Sequence, residues 1–364
     1  MRIAQFINTS NVGGAETMLA RLSCQLSAEG HELIIFHFGN AYLEKICHDN
    51  NIENKIVPFA KLFHSIFTAQ LFSLKFGRLL RENNVDVLHS HLYGALAGSF
   101  LGTFIYKISH VATLHDVYMV QERLGRGILL RVAQALNVQL VSVSKDMKCF
   151  YENYIPASKE IANIYNGFEW ADTPSTEKHN TKRTDDIVRI VIVARLIPLK
   201  GHSALINALS KTLITYNANL LIVGDGEEMN NLQNQVKSLN LENYVKFLGE
   251  RDDVQAILNS SDIFTLPSST EGLSCSIIEA MNCGLPCVVS SVGGNPELVS
   301  HGENGFLFNL EHFQSISKYI EILISDTEKR RNMGDIGKRL ALKKFNINNM
   351  TQNYIKTYND VNNK

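Results

Sequence analysis

Apolar runs and helical patterns alternate along the whole chain. "RIAQFI" (2–7) leads through "NTSNVGG" into a helical stretch around Ala15 to Ser27, and "HELIIFHF" (31–38) follows as a strand. "VDVLHSH" (85–91), "HVATLHD" (110–116) and "VQLVSVS" (138–144) are further short β-rich runs with helical spacing between them. Such alternation predicts parallel strands with helices on both faces. The polar run "TPSTEKHNTKRTDD" (173–186) has no apolar period and reads as a linker. Beyond it the pattern restarts: "IVRIVIVARL", "NLLIVGDG", "YVKFLGE", "DIFTLPS", "PCVVSS" and "GFLF" are strands, again spaced by helices. From about Phe345 the tail is Asn-rich, with Tyr354, Ile355 and Tyr358 at helical spacing. The predicted organisation is a first α/β domain over 1–172, the linker, a second α/β domain over 187–345, and a terminal helix over 346–364 packing back on the body.

Length agrees with two domains, since 364 residues exceed what one core usually covers. The composition, 45% hydrophobic and 20% charged, is that of a soluble globular chain. A formal net charge of −1 gives no global pull toward nucleic acid or anionic lipid, so no nucleic-acid partner is expected. Six cysteines without regular spacing imply free thiols in a reducing compartment, and "MRIAQFINTS" reads as a strand rather than a leader, so the expected location is cytoplasmic. The window Val87–Tyr106 holds no Lys, Arg, Asp or Glu, but two histidines, Ser99, Thr103 and three glycines suit a strand followed by a buried helix better than a membrane span.

Two stretches carry questions of chemistry. "SSTEGLSCSIIEAMNCGLPCVVSSVGG" (268–294) keeps Glu271 and Glu279 in an apolar setting, where each carboxylate is costly unless something hydrogen-bonds it. Ser276-x-x-Glu279 reads as a capping box, with Gly284 past the helix end and Pro286 as the stop; that explanation leaves Glu271 without a role. Arg195 ends one strand and Lys200 follows at the next helix start. Such a pair either brackets a diphosphate or lies solvated on the surface. Ligands of open parallel sheets sit beyond the carboxyl ends of the strands, and two such domains facing each other would enclose a cleft. "VGDGEE", with Gly224 and Gly226, and "SNVGGAE", with Gly13 and Gly14, are glycine turns at such ends, but neither has dinucleotide spacing. His115 closes another strand, as either a structural or a site histidine. No Walker loop, kinase signature, nucleophile elbow or metal-ligand set is evident.

Taken together, "ARLIPLKGH", "LLIVGDGEE", "VKFLGERDDV", the block from "SDIFTLPSSTEGL" to "GGNPELV" and "GENGFLF" resemble the donor half of retaining GT-B glycosyltransferases of family 4, of the bacterial polysaccharide and glycolipid type. "SNVGGAE", "HVATLHD", "VSVSKDM" and "IYNGFE" match the acceptor half in order. The resemblance implies two Rossmann-like domains and a nucleoside-diphosphate sugar as donor, with UDP taken ahead of GDP and no cofactor or metal. It assigns Glu271 to the sugar hydroxyls and Glu279 to the ribose. The amides of Gly272, Leu273, Ser274 and Cys275 fall beside the diphosphate, with Arg195 and Lys200 on the leaving phosphates. His115 falls near the donor sugar, Gly13 and Gly14 near the donor phosphate, Gly224 and Arg251 beside the nucleotide, and Asn166 near the cleft. Ala194 stands where many members have Gly. The rival readings are another enzyme of the same shape, such as a sugar-nucleotide epimerase or phosphorylase, and a binding protein without turnover.

The implied acceptor is a glycan or lipid-linked sugar. Residues 55–81 carry Lys55, Lys61, Lys75, Arg78 and Arg81 with interleaved aromatics and no acid. That pattern fits either contact with anionic lipid at the inner face of the cytoplasmic membrane or a core helix with a basic outer face.

Overall fold

The computed structural model describes residues 1–10, 13–65, 68–117, 125–155, 159–169 and 187–363. The chain forms two compact units, 1–168 with 346–364, and 169–345. The proposed linker at 173–186 lies outside the described residues.

The first unit runs β1 (Arg2–Phe6), α1 (Gly14–Ala28), β2 (Glu32–His37), α2 (Ala41–Asp49), β3 (Glu53–Ile56), α3 (Ala69–Glu82), β4 (Val87–His91), α4 (Leu92–Ile105), β5 (Ser109–Leu114), α5 (Gly125–Ala135), β6 (Gln139–Ser142), α6 (Lys145–Tyr154) and β7 (Ala162–Asn163). Its strands pair in parallel in the order β3-β2-β1-β4-β5-β6-β7, so the winding reverses between β1 and β4. Strand β4 is buried at every position, as expected of a parallel sheet covered on both faces. Alternate residues separate into two cores. Ile3, Ile35, Val87 and Val111 pack with α1 on one face, while Ala4, Phe6, Ile34, Phe36 and Leu88 pack with α3 on the other.

Phe59, Phe63, Phe72 and Phe76 of the basic stretch belong to the second of these cores, while Ile66 and Phe67 lie outside the described residues. Phe72 and Phe76 are fully buried, and Phe6 and Phe76 have ring centroids 4.5 Å apart. The rings of Phe59, Phe63, Phe72 and Phe76 are therefore committed to packing, while Leu71 is 46% exposed. Lys61, Arg78 and Arg81 remain exposed, and Arg78 pairs with Glu82 at 2.8 Å. The uncharged run after β4 is α4, which lies against α3 at two glycines. A Cβ on Gly102 would meet the Ser73 carbonyl oxygen at 1.9 Å, and one on Gly77 the Gly102 oxygen at 2.7 Å. No helix among the described residues is long and apolar enough to cross a membrane.

The second unit contains β8 (Arg189–Val193), α7 (His202–Thr215), β9 (Asn219–Val223), α8 (Met229–Ser238), β10 (Val245–Gly249), α9 (Val254–Asn259), β11 (Ile263–Leu266), α10 (Cys275–Asn282), β12 (Cys287–Ser290), α11 (Asn295–Leu298), β13 (Gly305–Phe308), α12 (Ser315–Ser325) and α13 (Thr327–Lys344). The parallel order β10-β9-β8-β11-β12-β13 reverses between β8 and β11. The last helix, α14 (Ile347–Asn362), rejoins the first unit and buries Ile347, Met350, Tyr354 and Tyr358 in the α1-side core. Gly167 makes that docking possible, because a Cβ there would meet the Ile347 Cα at 2.7 Å. The Ile347 N–H donates to the Phe168 carbonyl at 3.0 Å. None of the six cysteines is in a disulfide.

Candidate active site

The loops after β8 and β11 meet where the second sheet reverses, the place at which an open α/β sheet leaves a crevice. A short helical turn, Pro198–Lys200, follows β8, and Gly201 closes it with φ +72°. That left-handed backbone suits glycine, and a Cβ there would also meet the Pro267 carbonyl oxygen at 2.5 Å. Ser269 N–H donates to the Leu199 carbonyl at 2.8 Å, tying the two loops together. The result is an ion pair across the reversal, with Lys200 Nζ 2.6 Å from Glu271 Oε1 and side-chain exposures of 20% and 9%. Arg195 stands exposed on the loop just past β8.

Glu271 is fixed from behind by a loop that the sequence reading did not single out. Gly293 approaches so closely that a Cβ would lie 1.8 Å from the Glu271 carbonyl oxygen, and Gly294 N–H donates to Gly272 O at 3.1 Å. Ser290 Oγ donates to the Ser268 carbonyl at 2.6 Å, and Asn295 Nδ2 to the Ser290 carbonyl at 3.0 Å. The "VGGN" run was the available signal, since consecutive glycines mark close backbone approach.

Helix α10 starts two residues earlier than the capping-box reading requires. Ser274 is the N-cap, accepting from Ile277 N–H at 3.5 Å, while Ser276 and Glu279 lie inside the helix. Glu279 is therefore not the acid of a capping box, and it stands half-buried one turn beyond Cys275. The C-terminal reading agrees with the structure. Gly284 has φ +69°, its N–H donates to Met281 O at 2.8 Å, and Leu285 N–H donates to Ala280 O at 3.0 Å, as in a Schellman end. The amides of Gly272, Leu273, Ser274 and Cys275 lie at or just before the first turn of α10.

Other candidates have structural duties. Gly224 (φ +130°) and Gly226 (φ +158°) bring their loop onto the one after β8, where added Cβ atoms would meet the Ala194 and Leu196 carbonyl oxygens at 2.1 and 2.5 Å. The close approach is thus to backbone, and Leu196 N–H donates to Asp225 O at 2.9 Å. Arg251 forms a two-pronged pair with Asp253 at 2.7 and 2.8 Å, in the open. His202, beside Lys200, was missed. It is 3% exposed, and neither ring nitrogen has a hydrogen-bond partner among the described residues. Burial, and then the Lys200 charge, lower its pKa to about 4.

In the first unit, Gly13 caps α1 and Gly14 opens it, but Glu16 occupies that helix start. Its buried carboxylate accepts from Thr9 Oγ1 and lies 3.0 Å from where a Gly13 Cβ would be. The helix end is therefore already served by its own acid. Asn166 is buried beside the Gly167 contact with α14. His115, half-buried beyond β5, lies with Nε2 3.1 Å from His91 Nδ1, and His91 Nε2 lies 2.7 Å from Gln5 Oε1. Desolvation holds His115 neutral, with a pKa of about 4. Between β4 and α4, Leu92 adopts φ +73°, a strained backbone for a branched side chain, immediately after His91.

The chain is similar to known proteins in sequence and fold. Residues 12–169 match the model of Glycosyltransferase Family 4, and residues 174–340 that of Glycosyl transferases group 1. The chain is 26% identical over 375 residues to N-acetyl-alpha-D-glucosaminyl L-malate synthase of Bacillus anthracis, covering 96% of this chain and 95% of that one. It is 30% identical over 273 residues to the Escherichia coli UDP-Gal:alpha-D-GlcNAc-diphosphoundecaprenol alpha-1,3-galactosyltransferase, with 70% and 69% covered. Among solved structures, Anabaena Alr3699/HepE in complex with UDP-glucose aligns with a TM-score of 0.83 at 25% identity, over 99% of this chain and 100% of that one. The lipopolysaccharide outer core galactosyltransferase WaaB shares the fold, with a TM-score of 0.74 at 16% identity and 98% of both chains covered. The paired parallel sheets and these matches agree: the chain belongs to Glycosyltransferase Family 4, with a group 1 glycosyl transferase domain, and is a glycosyltransferase of the GT-B fold.

Proposed function

We propose that the chain is a retaining glycosyltransferase that moves a sugar from a nucleoside-diphosphate donor, UDP-linked, to a glycan or lipid-linked acceptor in cell-surface polysaccharide synthesis. The observation that carries this reading is the Lys200–Glu271 pair, set between the carboxyl ends of β8 and β11 and beside the start of α10. A diphosphate offers Lys200 a stronger anion, and the sugar's hydroxyls offer Glu271 hydrogen-bond donors. Each partner of the ion pair then has a replacement in the donor. Arg195 adds a second cation, and the first amides of α10 favour negative charge. Glu279 takes the ribose. His115 is assigned to substrate orientation by the family resemblance.

In the reaction the bond from the anomeric carbon to the phosphate oxygen breaks through an oxocarbenium-like state. The acceptor hydroxyl oxygen bonds to the same face, and its proton passes to the departing phosphate oxygen. Lys200 and Arg195 stabilise the charge that develops on the leaving group, which assigns the work to side chains rather than to a metal. The relatives' lipid-linked acceptor supports a peripheral role at the inner face of the cytoplasmic membrane.

A thermal-shift panel of UDP, GDP, ADP and their common sugars tests the donor, since a ligand of the folded state raises its melting temperature. Transfer from the stabilising donor to a polyprenyl-diphosphate sugar in excess EDTA then tests the reaction. Loss of turnover in EDTA with rescue by Mg²⁺ or Mn²⁺ refutes the metal-free mechanism, and donor conversion without acceptor refutes transfer.

A further inference from the structure

The polar residues on the α14-facing side of the first sheet form one connected set. Gln5, His89, His91 and Thr113 lie toward the carboxyl ends of β1, β4 and β5, in the core otherwise filled by Ile3, Val87 and Val111. All four are at most 2% exposed. His89 Nδ1 meets the Tyr358 hydroxyl at 2.8 Å, its Nε2 meets Thr113 Oγ1 at 2.7 Å, and Thr113 meets the Tyr354 hydroxyl at 2.9 Å. The His89 ring lies on His91 with centroids 4.1 Å apart, and the His91 and His115 rings meet edge to edge, 23° from parallel with centroids 5.4 Å apart. Burial and the neighbouring histidines keep His89 and His91 neutral.

Neutral imidazoles carry one N–H each, so a fixed acceptor at one end of the chain decides every tautomer along it. A carbonyl oxygen cannot donate. In the amide orientation of the structure, Gln5 Oε1 lies 2.7 Å from His91 Nε2, with Gln5 Nε2 buried and unpaired among the described residues; His91 then carries its proton on Nε2 and leaves Nδ1 as an acceptor. The contact at 3.1 Å then requires that His115 donate from Nε2. The Gln5 side chain also lies against the Tyr358 hydroxyl, which can donate to His89 Nδ1 while His89 Nε2–H donates to Thr113.

We propose that His91 is a positioning residue that locks His115 as the Nε2–H tautomer, leaving His115 Nδ1 to accept a hydrogen bond from a substrate hydroxyl. The final step rests on the function proposed above; the tautomer lock does not. Helix α14 belongs to the device, because Tyr354 and Tyr358 hold the His89 ring on which His91 lies.

Long-range ¹⁵N–¹H correlation on the full-length, ¹⁵N-histidine-labelled chain reads the tautomers without any turnover. Wild type should show His115 protonated on Nε2, and His91→Phe should lose that single tautomer. In transfer assays His91→Phe should lower kcat about tenfold or more with donor KM little changed. His91→Asn, which can return an acceptor oxygen near Nδ1, should recover part of the rate at a similar melting temperature. Should His91→Phe not fold, Gln5→Met removes the fixed carbonyl and carries the same test. An Nδ1–H or charged His115 in wild type, the result expected of the opposite Gln5 amide orientation, overturns the lock. Unchanged kcat in a folded His91→Phe overturns the positioning role. The expected tautomer in a chain that turns over no nucleotide sugar leaves the lock standing and removes the glycosyl-transfer reading instead.

Discussion

Lys200 Nζ and Glu271 Oε1, 71 residues apart in sequence, lie 2.6 Å from each other at the reversal of the second sheet. The carboxylate is the more buried partner, with 9% of its side chain exposed. A mostly buried pair contributes little net stability when intact, because desolvation offsets the attraction. Breaking it from one side is costly, since the remaining charge is left buried. The pair is therefore weak as a structural clamp, which is compatible with the proposed roles of both side chains as ligand groups.

Its two halves should respond differently to substitution. Lys200→Ala strands Glu271 and is expected to lower stability by roughly 3 kcal/mol while abolishing efficient transfer. Glu271→Gln removes the buried charge and releases Lys200. It should leave nucleoside-diphosphate affinity equal or improved while depressing transfer, because contacts to the sugar orient the reacting carbon. Calorimetric titration of UDP, with unfolding curves for both variants, makes the comparison. Weakened UDP binding in Glu271→Gln would contradict the division of labour.

Arg195 offers a cleaner measure of leaving-group stabilisation, because it is exposed. Arg195→Ala should keep its melting temperature and lose roughly 3 kcal/mol of transition-state stabilisation, by analogy with a removed oxyanion donor. Near-normal kcat in this variant would take Arg195 out of the site.

Glu279 and Ser274 can now be separated. Ser274 makes the cap, so Ser274→Ala should lose about 1 kcal/mol of stability. Glu279→Ala leaves the Ser274 cap in place and should instead weaken binding of both the free nucleoside diphosphate and the whole donor. Unchanged nucleotide affinity in Glu279→Ala would withdraw it from the ribose.

What the sequence revealed and what it hid follow from the range of the interactions. Strand runs such as "IVRIVIVAR" and the Gly284 helix stop are local signals, readable by period and by left-handed backbone. Glu271 was legible as an anomaly, a carboxylate among apolar neighbours, but its partner lies 71 residues away and no local rule pairs them. The capping box was misplaced by similarity of form: Ser274 and Ser276 are both serines near a helix start, and only backbone geometry chooses between them. Phe72 and Phe76 suited a membrane face or a core equally well until the ring of Phe6 supplied the other side. The glycines of "VGDG" advertise close approach without saying to what, and the neighbour proves to be backbone at Ala194 and Leu196.

The buried histidines make stability depend on pH in a definite direction. His115 and His202 are held near a pKa of about 4, and His110 near about 3, by desolvation, against an ordinary value of 6.5. The unfolded chain therefore binds protons that the folded chain refuses once pH falls below about 6.5. Stability should be level above that value and fall between 6.5 and about 4, at about 1.4 kcal/mol per pH unit for each proton taken up. Denaturant unfolding at pH 7.5, 6 and 5, with proton uptake measured on unfolding at pH 5, checks both slope and count. A flat profile from pH 7.5 to 5 would mean that these imidazoles are not held neutral.

The last helix provides the strongest stability test, because it completes a core begun more than three hundred residues earlier. Ile347, Met350, Tyr354 and Tyr358 are each at most 5% exposed and share one cluster with Ile3, Leu19 and Leu22. Truncating a single buried side chain of this size costs roughly 2–5 kcal/mol, and a domain's whole stability is only about 5–15 kcal/mol. Deleting 346–364 should therefore prevent the first unit from folding, giving insoluble or protease-sensitive chain. Tyr358→Phe is the graded version: it keeps the ring and removes the hydroxyl that meets His89 Nδ1 at 2.8 Å. An unsatisfied buried nitrogen should cost about 1–3 kcal/mol, read as a lower denaturation midpoint with unchanged slope. A deletion variant as resistant to proteolysis as the full chain would show that the helix rests on the core without completing it.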